Sequence, residues 1–193
     1  MYNIDPNYNH RKEVVYFDDT ANEDEWQKEV YLYAKDLAIK NNYKNIVDFG
    51  CGSGYKLIHN FNDYNTIGID LEPTIKFLNE KYPGKTWVTT QTPLPDIDIF
   101  IASDVIEHME DPDVLINYIK ECKPKQIILS TPDRNLTIRN WGYPKDGPPD
   151  NKHHIREWTY NEFYDYISSE FEIVCHKITN EQQCTQMIHA RIK

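Results

Sequence analysis

The chain has 193 residues, and 31 acidic against 21 basic side chains give it a formal charge of −10. That length suits one well-cored domain rather than two, and the acidity disfavours a nucleic-acid partner. No run of about 18 apolar residues occurs and no basic-then-apolar leader opens the chain, so a soluble cytoplasmic protein with no membrane partner is expected.

Residues 1–22 are polar and tyrosine-rich with little periodicity, which reads as a flexible arm or a flap over a site. From Glu23 the pattern turns helical: Trp26, Val30, Tyr33, Ala34, Leu37 and Ala38 form one apolar stripe that Asn41-Asn42 ends. The run Ile46 to Phe49 reads as a strand, and a short helix with Leu57, Ile58 and Phe61 on one side follows the glycines after it. Thr66 to Asp70 is the next strand. Glu72-Pro73 then opens a helix bearing Ile75, Leu78 and Tyr82, which Pro83-Gly84 stops. Trp87-Val88-Thr89 is a third short strand, and Ile97 to Ala102 is a fourth, apolar enough to be central.

Asp111-Pro112 caps a helix carrying Val114, Leu115, Tyr118, Ile119 and Cys122. Ile127 to Ser130 is a fifth strand. Residues 131–157 are polar, rich in proline and aromatics, and without period; a loop that long inside one domain reads as a lid or binding loop. Thr159 and Glu162 make a capping box for a last helix with Phe163, Tyr166 and Ile167. Strands near 171–178 and 184–191 close the chain as an antiparallel pair. Alternating strands and helices imply a mostly parallel sheet covered on both faces, with ligands at the carboxyl ends of the strands. Cys51, Cys122, Cys175 and Cys184 are widely spaced and form no CxxC pair, so neither a disulfide framework nor a metal site is expected. Cys175 and Cys184 could face each other across the last hairpin, but a reducing compartment leaves them packed thiols.

The most informative segment is Asp48-Phe49-Gly50-Cys51-Gly52-Ser53-Gly54, an acid at a strand tip followed by three alternate glycines. Glycines let the backbone turn sharply and let a ligand approach without meeting a Cβ. A dinucleotide fingerprint would need glycine at 55, where Tyr55 stands, and a phosphate loop would need Ser or Thr after Lys56, where Leu57 stands. The loop therefore suits a cofactor that is charged but is no phosphate ester. Asp70, 16 residues beyond Gly54, ends the second strand where such units hold ribose hydroxyls.

Together these features resemble the class I S-adenosylmethionine-dependent methyltransferases over about residues 23–191. The matching segments are Asp48 to Gly54, Ile67-Gly68-Ile69-Asp70, and Ile99 to Met109 with its Ser103-Asp104-Val105-Ile106-Glu107-His108 core. The resemblance implies a doubly wound, seven-stranded, mostly parallel sheet with an antiparallel C-terminal strand, a Rossmann-like fold. It implies S-adenosyl-L-methionine as cofactor, its methionine end along Asp48, Gly50, Cys51, Gly52 and Gly54, its ribose on Asp70 and its adenine on Leu71. Ser103 and Asp104 would border it after strand four. The third motif departs from the family, because relatives often carry an acid after strand three; here Thr90 and Gln91 would have to serve.

Methyl transfer from a sulfonium is a displacement that the protein must align, and an alcohol acceptor also needs a base, usually histidine near neutral pH. His153 and His154 in the lid are the candidate catalytic pair, either as a base or only as anchors of the lid. Arg156 is a candidate clamp for an anionic substrate. Trp141, Tyr143 and His108 are candidate walls of the acceptor pocket, though His108 could equally brace the helix start. The expected activity is O-methylation of a small polar metabolite, a sugar, nucleotide-linked sugar or similar surface-glycan precursor, by a monomer or homodimer. N-methylation, a quinone-type acceptor, and a non-catalytic cofactor-binding subunit are the alternatives.

Overall fold

In the computed structural model, which describes every residue except Val14 and Asp24, seven strands form one sheet. They are Asn45–Phe49 (β1), Asn65–Ile69 (β2), Thr86–Val88 (β3), Ile99–Ser103 (β4), Gln126–Pro132 (β5), Phe171–Asn180 (β6) and Thr185–Ile192 (β7). Their order is β3-β2-β1-β4-β5-β7-β6. The first five run parallel, and β7 is antiparallel to both of its neighbours. The expected doubly wound sheet with its reversed C-terminal strand is the one observed.

The helices Lys28–Asn41 (α1), Tyr55–Phe61 (α2) and Glu72–Lys81 (α3) cover one face; Asp113–Cys122 (α4) and Tyr160–Glu170 (α6) cover the other. The alternation along β4 shows why both faces fill. Ile99 and Ile101 pack with Val30, Leu57 and Leu78 on one side, while Phe100 and Ala102 pack with Leu115, Ile119 and Phe163 on the other. Gly68 in β2 is required by this packing, since a Cβ there would enter the Trp87 indole laid across the strand. The capping box of α6 forms as expected: Thr159 N–H and its hydroxyl both donate to Glu162 Oε2 at 2.8 Å.

Three expectations are corrected. The first helix begins at Lys28 rather than Glu23, because Gln27 takes a left-handed φ of 59°. Trp26 thereby leaves the helical stripe and meets Trp141 edge-on at 6.2 Å. Residues 131–157 are no structureless loop: β5 runs to Pro132, and Arg134–Trp141 (α5) follows, capped by the Asp133 side chain on Leu136 N–H at 2.9 Å and ended by Gly142 at φ 74°. The four cysteines are free thiols, but Cys175 stands opposite His189 while Cys184 precedes β7, so the two do not face each other.

The arm is packed rather than loose along its first half. Ile4 and Tyr8 are 7 % exposed. Trp158 Nε1 donates to Tyr2 O at 3.0 Å, and Arg11 N–H donates to Ile155 O at 2.8 Å. Tyr8 lies under the Arg134 guanidinium, 4.1 Å from ring centre to Cζ. No helix among the described residues is long and apolar enough to cross a membrane.

Candidate active site

The carboxyl ends of β1, β2 and β4 meet at the glycine loop. Gly50, Gly52 and Gly54 all have positive φ, at 73°, 51° and 70°, a region costly for any residue with a Cβ. Space is as restrictive as conformation: a Cβ on Gly50 would enter Val105, and one on Gly52 would enter the Asp19 carboxylate. The loop hangs on β2, since Gly50 and Cys51 N–H both donate to Ile69 O, at 2.8 and 3.1 Å.

Asp48 is buried beneath the loop, 1 % exposed, and the Tyr31 hydroxyl of α1 sits 3.1 Å from each carboxylate oxygen. Burial pushes Asp48 up to about 7, against the bond from Tyr31 that lowers it. Asp48 therefore supports the loop from below. Asp70 is at the surface of the site: its carboxylate accepts Gly52 N–H at 2.8 Å and Leu71 N–H at 2.7 Å. Burial raises its pKa, and the two backbone bonds oppose that. Next to it Leu71 is 59 % exposed, an apolar side chain left in the open beside a carboxylate.

Ser103 and Asp104 belong to a chain of hydrogen bonds at the end of β4. Ser103 Oγ lies 2.8 Å from Ser130 Oγ, which donates to Asp104 Oδ1 at 2.7 Å, and Gln27 Nε2 donates to Asp104 Oδ2 at 2.8 Å. Asp104 holds a left-handed φ of 54°, and its pKa is raised by burial. Thr90 and Gln91 lie exposed beyond β3, where they border a hollow of about 270 Å3 with Leu94, Tyr118 and Cys122. Another hollow, about 330 Å3, opens at the amino ends of the strands beside Asn45, Asn65 and Lys85, away from all of these groups.

The lid residues separate into two sets. His153 is half-buried; its Nδ1 is 3.1 Å from Val15 O, and the Phe17 ring packs 5.0 Å away. Phe17 also lies parallel to the His108 ring at 6.3 Å, so the arm crosses the carboxyl edge of the sheet here. Trp141 meets Tyr143 at 5.5 Å, and with Trp26 they form an aromatic wall next to Gln27. His154, by contrast, is 6 % exposed, with Nδ1 2.8 Å from Glu157 Oε1 and Nε2 2.9 Å from Asn151 Nδ2. Both ring nitrogens are engaged, so the expectation of His154 as a base facing the acceptor is corrected.

Arg156 is corrected as well. It is 3 % exposed and donates to Met109 O at 2.6 Å, Glu110 O at 2.7 Å and His10 Nδ1 at 3.2 Å, with its guanidinium over Tyr2 and Trp158. It ties the lid to the segment after β4 and has no face left for a substrate. His108 is half-buried beside His154, ring centres 4.9 Å apart, and burial lowers it to about 4. Glu107, 0 % exposed, accepts Thr131 Oγ1 at 3.0 Å on Oε2; burial, with Asp104 adding to it, holds its pKa well above the ordinary range.

The model of the family described as "Methyltransferase domain" matches residues 20–173. The chain belongs to that methyltransferase family. Its cofactor is S-adenosylmethionine, and its activity is methyl transfer. No curated protein matches the sequence. Among solved structures, magnesium protoporphyrin IX methyltransferase from Synechocystis PCC 6803, with bound SAH, superposes with TM-score 0.65 at 15% identity, over 86% of this chain and 84% of that one. Protein PH0226 from Pyrococcus horikoshii OT3 gives TM-score 0.65 at 14% identity over 100% and 98%. Small RNA methyltransferase HEN1 gives 0.62 at 23% identity, covering 95% of this methyltransferase but only 26% of that chain. These likenesses are of fold.

The residues present fit the cofactor. The loop presents backbone without side chains at Gly50, Gly52 and Gly54, with Val105, Asp19 and Trp87 packed against it. Asp70 brings a carboxylate to the end of β2 for a diol, and Leu71 leaves an apolar face beside it. Asp19, Tyr31, Gln27 and Phe17 are the members that sequence reasoning missed. Three of them come from the aperiodic arm and the turn before α1, where no pattern marks a functional residue.

Proposed function

We propose that this methyltransferase methylates an oxygen of a small polar metabolite, a sugar, nucleotide-linked sugar or similar glycan precursor. The observation that carries the reading is the arm's passage over the carboxyl edge. Phe17 packs on His108 and His153, Val15 O holds His153, and Gln27 holds Asp104, so the arm and the turn before α1 lie across the acceptor's side of the site. An approach crossed by the arm, on a chain of charge −10, favours a compact acceptor over a polymer of phosphates.

In this reading Asp70 takes the ribose hydroxyls, Leu71 packs on the adenine, and the backbone of Gly50 to Gly54 receives the methionine end. S-adenosylmethionine would supply an activated methyl group to the acceptor oxygen, whose proton would pass to a base of the chain. His153 is the better base of the lid pair: Nδ1 faces a carbonyl and so carries the hydrogen, which leaves Nε2 with the lone pair. Trp141 and Tyr143 would wall the acceptor.

The test is transfer of labelled methyl from S-adenosylmethionine to a panel of sugars, nucleotide-linked sugars, amines, quinols and short RNAs. Labelling of a hydroxylated metabolite is expected. Labelling confined to RNA would overturn the reading, as would labelling confined to amines or quinols, or no transfer to any acceptor.

A further inference from the structure

We propose that Glu107, His108 and His154 bind a divalent transition-metal ion. Each offers one donor atom, and these atoms all lie within 4.8 Å of one another. Metal–ligand bonds of about 2.0–2.2 Å allow two donors to stand at most about 4.4 Å apart, so little closing is needed.

The orientation of each donor points to the same use. Thr131 fixes one Glu107 oxygen. The other, Oε1, has no hydrogen-bond partner among the described residues, although Glu107 is 0 % exposed. A buried carboxylate oxygen left bare is costly unless something binds it. His108 Nδ1 lies 2.9 Å from His153 O, and His154 Nδ1 lies 2.8 Å from Glu157 Oε1. Both partners only accept, so both hydrogens sit on Nδ1 and both Nε2 atoms carry lone pairs. A carbonyl or carboxylate behind each imidazole is the arrangement that orients metal-binding histidines.

Charge agrees with geometry. Asp104 and Glu157 both act on Glu107, so three carboxylates gather around two imidazoles, an environment that a cation would balance. Asn151 Nδ2 meets His154 Nε2 at 2.9 Å and would turn aside on binding. Two imidazoles and one carboxylate suit manganese, iron, cobalt or zinc better than magnesium or calcium. Three protein donors leave positions for water or an acceptor oxygen.

The experiment is calorimetric titration of the chelator-treated full chain with Mn2+, Co2+ and Zn2+ in the absence of cofactor. One equivalent should bind, Glu107→Gln and His108→Ala should each weaken binding at least 30-fold, and His59→Ala, at an exposed position of α2, should leave it unchanged. Glu107→Gln keeps the side chain's shape, so it decides the matter if His108→Ala fails to fold. Absence of saturable binding by the wild type, or equal affinity in Glu107→Gln, would overturn the proposal. Binding of the demethylated cofactor, measured separately, distinguishes failure here from failure of the methyl-transfer assignment.

Discussion

The Tyr31 hydroxyl lies equidistant from both oxygens of Asp48, 3.1 Å from each, beneath the glycine loop. Burial pushes the Asp48 carboxyl up to about 7, and one phenolic hydrogen only partly offsets that. An ordinary aspartate titrates near 3.9, so the folded state binds the extra proton between those values. The stability that Asp48 contributes is fully present below about pH 4 and is lost as pH rises to about 7. His108, His176 and His189, lowered to about 4, tilt the total curve the opposite way. The difference between wild type and Asp48→Asn isolates the carboxylate. Urea denaturation should show the variant gaining on the wild type by a few kcal/mol, to order of magnitude, from pH 4 to 8. A pH-independent difference would disprove the assignment.

Asp70 and Gly52 are joined by a 2.8 Å bond from backbone to carboxylate, and cofactor binding should depend on both. Asp70→Asn keeps an acceptor for the loop but loses the charge. A charged hydrogen bond is worth about 1.5–3 kcal/mol, so affinity for S-adenosylhomocysteine should fall roughly 10- to 150-fold by calorimetry. Gly52→Ala places a methyl group against Asp19 and forces a left-handed alanine, a strain of about 1–2 kcal/mol. Its melting temperature should drop, and its cofactor affinity should drop further than the Asp70→Asn value.

The sheet was legible because its signals are local. Ile99 to Ala102 alternate between two cores, and Thr159 with Glu162 writes a helix start in four residues. The glycine loop was legible because positive φ at three positions leaves few other residues possible. Helix α5 was missed because its buried face is Arg134, Leu136 and Thr137, two of them polar, which erases the apolar stripe. Its caps, Asp133 and Gly142, were the available signal. Asp19 and Phe17 reach the site from an aperiodic arm, and only tertiary packing puts them there. Arg156 was misread because a buried arginine on carbonyls and an exposed arginine awaiting an anion look identical in sequence.

Arg156 therefore predicts a stability effect. Its guanidinium spans Met109 O and Glu110 O, a bidentate geometry that lysine cannot reproduce. Arg156→Lys should lose about 2–3 kcal/mol in urea denaturation. Its Michaelis constant for the acceptor should stay within about twofold of wild type, which corresponds to less than about 0.5 kcal/mol. A large rise in that constant with unchanged stability would restore the substrate clamp.

The two lid histidines should separate in the same way, because one is enclosed and the other is not. His154→Ala strips Glu157 of its imidazole partner inside the protein, where an unsatisfied group costs about 1–3 kcal/mol. Thr137 Oγ1, 2.9 Å from the other Glu157 oxygen, limits that loss without removing it. His153→Ala removes a bond to Val15 O and a ring contact with Phe17, both at the arm, so its unfolding midpoint should barely move. If His153 takes the acceptor's proton, its loss should cut turnover at least tenfold, within the range of about 10²–10⁴ typical of a general base. Single-turnover rates and urea midpoints measured on both variants check this. Full turnover in His153→Ala would leave the proton to another acceptor and end the case for a lid base.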